Sequence, residues 1–294
     1  FSKNLTQQTT TQIFQDSRGA LWFVTKEGLN KYTGHYLSNY RHSSLDAHSL
    51  SNNNVNEITE DQDGGIWIAT QGGGLNKYDP IEDNFESILS DPNERNSPYS
   101  NNIRCIFTDM TGLLWLGYKD AFSSFNPKTK EFQHFTPESL MTDDFGVVYD
   151  FGQTSDGVLW IATEKSGLIA LSSSNLAKDE RRVVGKLGPP LLPSSTSLIL
   201  VTEDDELWLA HPYLGVSRYD PISGKSEFYE HDEENAKSLS SNRVFDIFKD
   251  QDGRMWFATF EGLNLLDSKG TFHRFTRSNS NLPENVVTNI FQSR

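Results

Sequence analysis

The chain has 294 residues, with 40 acidic against 26 basic, a formal net charge of −14 and a pI near 4.9. That length buries a sizeable core unaided, while so negative a balance without a Lys/Arg-rich run argues against a nucleic-acid partner, because phosphate backbones are held by clustered cations. No apolar run approaches the roughly 20 residues of a membrane span, and no charged-then-apolar leader opens the sequence, so the chain as given is expected to be soluble and not itself membrane-spanning.

The single Cys105 has no partner for a disulfide or a structural zinc site. The seven histidines are scattered without metal-ligand spacing, so neither a metal nor a cofactor is expected. Asp-x-Asp-Gly at Asp61–Gly64 and Asp250–Gly253 opens like a calcium loop, but Gly72 stands where the first copy needs its closing Glu, and the strand that follows is wrong for that loop.

Six tryptophans, Trp22, Trp67, Trp115, Trp160, Trp208 and Trp256, recur at spacings of 45 or 48 residues, which marks an internal repeat. In chain order each copy begins with a short apolar or alternating run (QIFQD, VNEITED, IRCIFTD, VVYDFGQT, SLILVTED, VFDIFKD) that reads as a strand. Four copies then carry Asp-x-x-Gly, a tight reversal in which Asp caps the turn and Gly supplies the positive φ. Gly19, Gly64, Gly112, Gly157 and Gly253 stand three residues before Trp, with Asp205 in the fifth copy. The Trp strand therefore pairs back antiparallel on its predecessor. A second break at Gly28, Gly74, Gly167, Gly215 and Gly262 leads to a third strand, and turns such as DPIED, NPKTK and DPISG lead to a fourth.

No window of a dozen residues holds a helical period. A four-stranded meander of this size cannot bury both its faces alone, so copies must stack radially and share cores. The expected fold is all-β: a β-propeller of four-stranded antiparallel blades, with six complete repeats and the first strand of a seventh, in a six- or seven-bladed ring. The blades fall near 8–40, 53–89, 101–136, 146–187, 194–231 and 242–276 of a single 1–294 domain, and 285–294 reads as the start of the next blade, as though the chain were cut. An open strand edge there invites homodimerisation. Each Trp is expected to serve the core between blades.

The stretch Ser49–Phe85, with KSLSSNRVFDIFKDQDGRMWFATFEGLNLLD and GALWFVTKEGLNKYTG, resembles the two-component regulator propeller repeat. The pattern Asn-x-Val-x-x-Ile-x-x-Asp-x-x-Gly-x-Leu-Trp-Ile-x-Thr followed by Gly-Leu-Asn-x-Tyr runs through essentially the whole chain. It departs at Tyr118 and Ala121 in the third copy, Thr154 in the fourth, and Thr202, Asp205 and His211 in the fifth. The resemblance implies a periplasmic sensor: propellers of this type form the extracytoplasmic part of inner-membrane receptors, followed in the parent chain by further blades and by a histidine kinase or diguanylate cyclase output. In several relatives the cue is an oligosaccharide. This chain alone is not expected to be an enzyme.

Propeller geometry gathers the loops between second and third strands, and those joining successive blades, at one end, and binding residues concentrate on such loops. Candidate ligand contacts are Tyr118, Lys119, His211, Tyr213, Phe260 and Glu261 on the former, and Arg104 and Arg243 on the latter. Aromatic faces beside charged groups suit a sugar. The bland alternative for each is a drifted loop residue packing on a neighbouring blade. Asn53, Asn101, Asn242 and Asn285 are expected to hydrogen-bond the interblade backbone. Two other functions compete: a glycan hydrolase or lyase using acids such as Asp120, Glu164 and Glu261, and a protein-interaction scaffold, which requires an apolar face.

Overall fold

A computed structural model of the chain describes residues 5–7, 9–175, 180–188 and 191–293. The boundary residues Gln8 and Arg294 lie outside the described residues. Among the described residues the regular elements are 24 strands, and no helix occurs.

The strands form six four-stranded sheets, each an antiparallel meander in sequence order. The first holds β1 (Gln12–Gln15), β2 (Leu21–Thr25), β3 (Gly28–Tyr32) and β4 (Leu37–Tyr40). The second holds β5 (Val55–Glu60), β6 (Ile66–Thr70), β7 (Leu75–Asp79) and β8 (Asn84–Ile88), and the third β9 (Cys105–Thr108), β10 (Leu114–Gly117), β11 (Phe122–Asn126) and β12 (Glu131–Phe135). The fourth holds β13 (Val148–Gln153), β14 (Leu159–Thr163), β15 (Gly167–Asn175) and β16 (Glu180–Leu187). The fifth holds β17 (Leu198–Val201), β18 (Leu207–His211), β19 (Gly215–Asp220) and β20 (Lys225–Tyr229), and the sixth β21 (Val244–Lys249), β22 (Met255–Thr259), β23 (Gly262–Leu266) and β24 (Phe272–Phe275). These are the six propeller blades that the tryptophan spacing demands. The chain divides into two compact units, one of residues 1–148 with 293–294 and the other of 149–292.

Within each unit the cores lie between consecutive blades. Trp22 packs with Ile58, Ile66, Ile68, Tyr78 and Phe85 of the next sheet. Trp67 packs with Ile106, Leu114, Leu116 and Phe125, Trp160 with Leu207, Leu209 and Tyr219, and Trp208 with Ile247, Phe257 and Phe272. Because the Trp strand is second of four and covered on both faces, all five residues of β6, β14 and β18 are buried. Alternation, which reports a one-sided sheet, is therefore absent there.

The reversal before each Trp strand does more than turn the chain. Asp16, Asp61, Asp109 and Asp250 cap the turn as expected, with one carboxylate oxygen accepting the backbone N–H four residues on, and use the other to accept the indole N–H of the following Trp at 2.7–2.9 Å. The fixed six-residue interval from Asp to Trp is thus a side-chain bond as well as a turn. Asp205, in the glycine position of the fifth copy, adopts the glycine's left-handed backbone at φ 62°, and its carboxylate takes the backbone N–H and the hydroxyl of Ser155. Asp and Asn tolerate this conformation best among residues with a Cβ.

The tail departs from the expected strand. Residues 285–293 have no strand pairing. They nevertheless run as an inner strand does: the Ile290 N–H donates to Asp246 at 2.8 Å and the Val287 N–H to the Thr259 carbonyl at 3.0 Å.

Candidate functional site

The loops that join second to third strands are tied to the segments that lead into the next blade. The Gly74 N–H donates to the Asn101 carbonyl at 2.9 Å, that of Asp120 to Gly146 at 3.0 Å, that of Gly167 to Ser194 at 2.6 Å, and that of Gly215 to Asn242 at 3.1 Å. The two loop families therefore share an end in both units. The recurrent asparagines fix the same segments from the other side: Asn53, Asn101, Asn242 and Asn285 accept the backbone N–H of His42, Ser90, His231 and Arg277 at 2.6–2.8 Å. The partner lies across the loop, 8–11 residues back, rather than in a local turn.

The inner strands carry a bulge at this end. Asn56 in β5 and Phe245 in β21 are the extra residues between successive paired positions. A bulge turns its side chain out of the strand's alternation, and both are placed among loop residues. Asn56 accepts a hydrogen bond from the Lys26 ammonium at 2.7 Å, and Phe245 lies under the Arg243 guanidinium at 5.4 Å.

In the second unit the loop end forms one cluster around Arg243. Its guanidinium carbon is 4.7 Å from the ring centre of Phe260, 5.4 Å from Phe245 and 5.5 Å from Tyr213, within cation–π range of all three. Tyr213 sits at the tip of the β18–β19 hairpin with φ 62° and is 69% exposed. Phe260, at the β22–β23 turn, is 41% exposed and held by its N–H to the Arg243 carbonyl at 3.0 Å. Glu261 follows it, exposed, its N–H on the Thr259 hydroxyl at 3.1 Å. Among the sequence candidates Tyr213, Phe260 and Arg243 are brought together. Phe245 was not anticipated; its one sequence signal is a side chain without a polar group in a column that otherwise holds Thr11, Asn56, Arg104, Tyr149 and Ser197.

In the first unit Arg104 and Lys119 are exposed. Arg104 lies close enough to Lys26 that, after burial itself, its charge helps hold the Lys26 amine below its usual range. Lys119 pairs through its backbone with Val147.

Tyr118 and His211 are elsewhere. Both are 1% exposed: His211 is the last residue of β18 and Tyr118 directly follows β10, each at the buried inner end of a Trp strand. In the other copies that position is Thr25, Thr70, Thr163 or Thr259, whose hydroxyl closes the hairpin on a carbonyl. The bulk of the replacements is housed by a second change: where Asn30, Asn76 and Asn264 stand on the third strand of other copies, these two have Ser123 and Ser217. His211 contacts the Ser217 hydroxyl through Nε2 at 2.8 Å and the Ser195 carbonyl through Nδ1 at 3.1 Å. Burial lowers its pKa to about 4, against a smaller upward pull from that carbonyl, so the ring is neutral near pH 7. Its two nitrogens are spent inside the blade.

Two carboxylates that sequence reading passed over, Asp150 and Asp246, stand on the inner strands β13 and β21. Asp150 accepts the Ile199 N–H and Asp246 the Ile290 N–H, each at 2.8 Å, the role that Gln12 and Glu57 play towards Ile58 and Ile106. Burial pushes Asp150 up from the ordinary carboxylate range, opposed by backbone N–H bonds and reinforced by the charge of Asp246. Burial likewise pushes Asp246 up to about 6. Among the described residues no group of His, Cys, Asp or Glu is arranged to hold a metal. The carboxylates of Asp61 and Asp250 that open the calcium-like pattern are occupied by backbone and indole N–H donors.

Comparison with known proteins bears on both fold and role. The family model for the two-component regulator propeller matches residues 49–72 and 238–261. Those two segments carry the two-component regulator propeller repeat. The chain is 26% identical over 220 residues to histidine kinase P4 of Formosa agariphila, covering 74% of this chain and 12% of the kinase. It is similar in structure to the extracellular domain of the putative hybrid two-component system BT3049 of B. thetaiotaomicron, with TM-score 0.79 and 24% identity, over 97% of this chain and 37% of that one. Virginiamycin B lyase of Staphylococcus aureus shares the propeller fold at TM-score 0.66 and 15% identity, over 90% of this chain and 82% of the lyase. The chain thus spans a small part of the kinase and about a third of the sensor domain.

Proposed function

We propose that this propeller is the ligand-sensing, extracytoplasmic part of a membrane-bound signalling receptor, located in the periplasm. An oligosaccharide is its cue, and the signalling domains of the parent chain, a histidine kinase or diguanylate cyclase, carry the output. The observation that supports this most is the joining of Arg243, Tyr213 and Phe260 at the loop end of regulator-propeller blades, an exposed aromatic and cationic platform on rigid sheets. The similarity to a sensor's extracellular domain supports the signalling role. A receptor is favoured over an enzyme because His211, which the sequence offered for this end, is instead buried in its blade and committed to internal hydrogen bonds.

A panel of poly- and oligosaccharides tests the reading by thermal shift, with each mixture then examined by chromatography. A raised melting temperature with no product is the expected result, and turnover of a glycan sinks it. Tyr213→Ala should weaken the shift while leaving the unliganded melting temperature unchanged, since the ring is mostly exposed. Sizing with and without the bound saccharide reads whether homodimerisation accompanies binding.

A further inference from the structure

Resting on the reading of this loop end as the ligand face, we propose that the Arg243 cluster takes an acidic group of the ligand, a carboxylate or sulfate ester carried on a sugar chain. Arg243 is exposed, and only its backbone N–H and carbonyl are hydrogen-bonded, to Ser241 and Phe260. Among the described residues its guanidinium has no carboxylate or carbonyl partner. Arg41, Arg218, Arg254 and Arg274 by contrast spend theirs on Glu27, Glu206, Asp250 and Ser238. The cation–π contacts with Tyr213, Phe245 and Phe260 consume none of the guanidinium's hydrogen-bond donors, which can still meet a bidentate acceptor. The rings also restrict the side chain before any ligand arrives, which lowers the entropy cost of binding.

A neutral sugar is the poorer fit, because the ring faces it needs for stacking are shared with the cation. The surrounding charge sharpens the point. With 40 acids to 26 bases in the chain, an arginine held by three aromatic rings with no acid paired to it is poised for an external anion. Exposed Glu261, next to Phe260, sets a limit on how many negative charges the ligand brings. In the first unit Lys26 donates to Asn56 and to the Val55 carbonyl, and among the described residues it has no carboxylate partner.

The test uses the 294-residue chain and calorimetric titration with three probes: a galacturonic acid trisaccharide, its carboxyl-reduced neutral counterpart, and a sulfated galactose trisaccharide. Binding of one or both acidic probes, weakened by salt, and no comparable binding of the neutral one is expected. The carboxylate and sulfate arms identify which acid is read. Arg243→Gln should weaken acidic-probe binding by roughly thirtyfold or more, with Arg243→Lys in between and both variants melting like the parent. Equal binding of the neutral probe, or an unchanged Arg243→Gln titration, overturns the acidic-ligand proposal and leaves the receptor reading intact. If none of the three binds and the saccharide panel gives no shift, both fall.

Discussion

The carboxylate six residues before four of the six tryptophans was legible as a turn cap and illegible as an indole acceptor, since spacing reports recurrence and says nothing of which side chains meet. Asp61 accepts two backbone N–H groups through one oxygen and the Trp67 indole through the other. Asp61→Ala leaves that N–H in the interblade core without an acceptor and should cost about 2–3 kcal/mol in urea unfolding. A cost within error of zero would mean that water replaces the carboxylate. Tyr118 and His211 stood out in the sequence because they break the repeat, and the structure shows that a broken repeat can be repaired within the blade. The sign of that repair was present in the sequence, as Ser123 and Ser217 in an asparagine column, but only the contact of His211 with Ser217 joins the two changes. His211→Thr alone should destabilise, as should Ser217→Asn alone, and the pair should recover about 1 kcal/mol of coupling in a double-mutant cycle read by chemical unfolding. Strict additivity would separate the two positions.

At the scale of the element, glycines that the sequence marks alike do different work. Gly74 and Gly157 both have positive φ, at 68° and 86°. At Gly157 a Cβ meets nothing within 4 Å, whereas at Gly74 it lies 2.4 Å from the Ile88 carbonyl oxygen at the end of β8. Gly28, Gly167, Gly215 and Gly262 face the corresponding carbonyls of Tyr40, Leu187, Tyr229 and Phe275 at 2.3–2.5 Å. The start of the third strand therefore packs directly on the exit of the fourth. The third blade, which has Ala121 instead, moves the left-handed residue to Asp120 at φ 63°. Gly157→Ala should cost about 1 kcal/mol, the left-handed penalty alone. Gly74→Ala must also displace backbone and should cost a further ~2 kcal/mol or more, read as the difference between two urea midpoints. Equal costs would mean that the β8 exit moves freely. Blade boundaries and strand order were readable because turn residues punctuate each strand. The bulge at Phe245 was not, because it shifts register without leaving a fixed residue type behind.

For the whole molecule, the repeat made the fold legible from six tryptophans, whereas the buried charge could be seen only once the strands were placed. Asp150 and Asp246 occupy a column that is Gln12, Glu57, Cys105 or Leu198 elsewhere, so no pattern announces two acids there. Both have folded-state pKa values above the ordinary one, Asp246 at about 6. The unfolded chain releases these protons near pH 4 while the folded one keeps them, so the folded state binds more protons in between and stability falls as pH rises through this window. His211, lowered to about 4 from 6.5, works in the opposite sense, since the unfolded chain takes up its proton first as pH falls. Asp250, held at about 2 by the Trp256 indole and by Arg254 despite burial, loses its contribution only below the ordinary carboxylate range. These opposed slopes flatten the parent's own profile, so the informative quantity is the difference between the parent and Asp150→Asn. The variant keeps an oxygen for one of the two backbone N–H groups and loses the other acceptor, a penalty independent of pH. Its melting temperature relative to the parent should therefore rise steadily from pH 4 to pH 8 as the parent's buried acid is forced to ionise. At about 2–4 °C per kcal/mol for a unit of this size the change is within reach of a circular-dichroism melt. A difference that stays constant across that range would show that Asp150 keeps an ordinary carboxylate pKa in the folded blade.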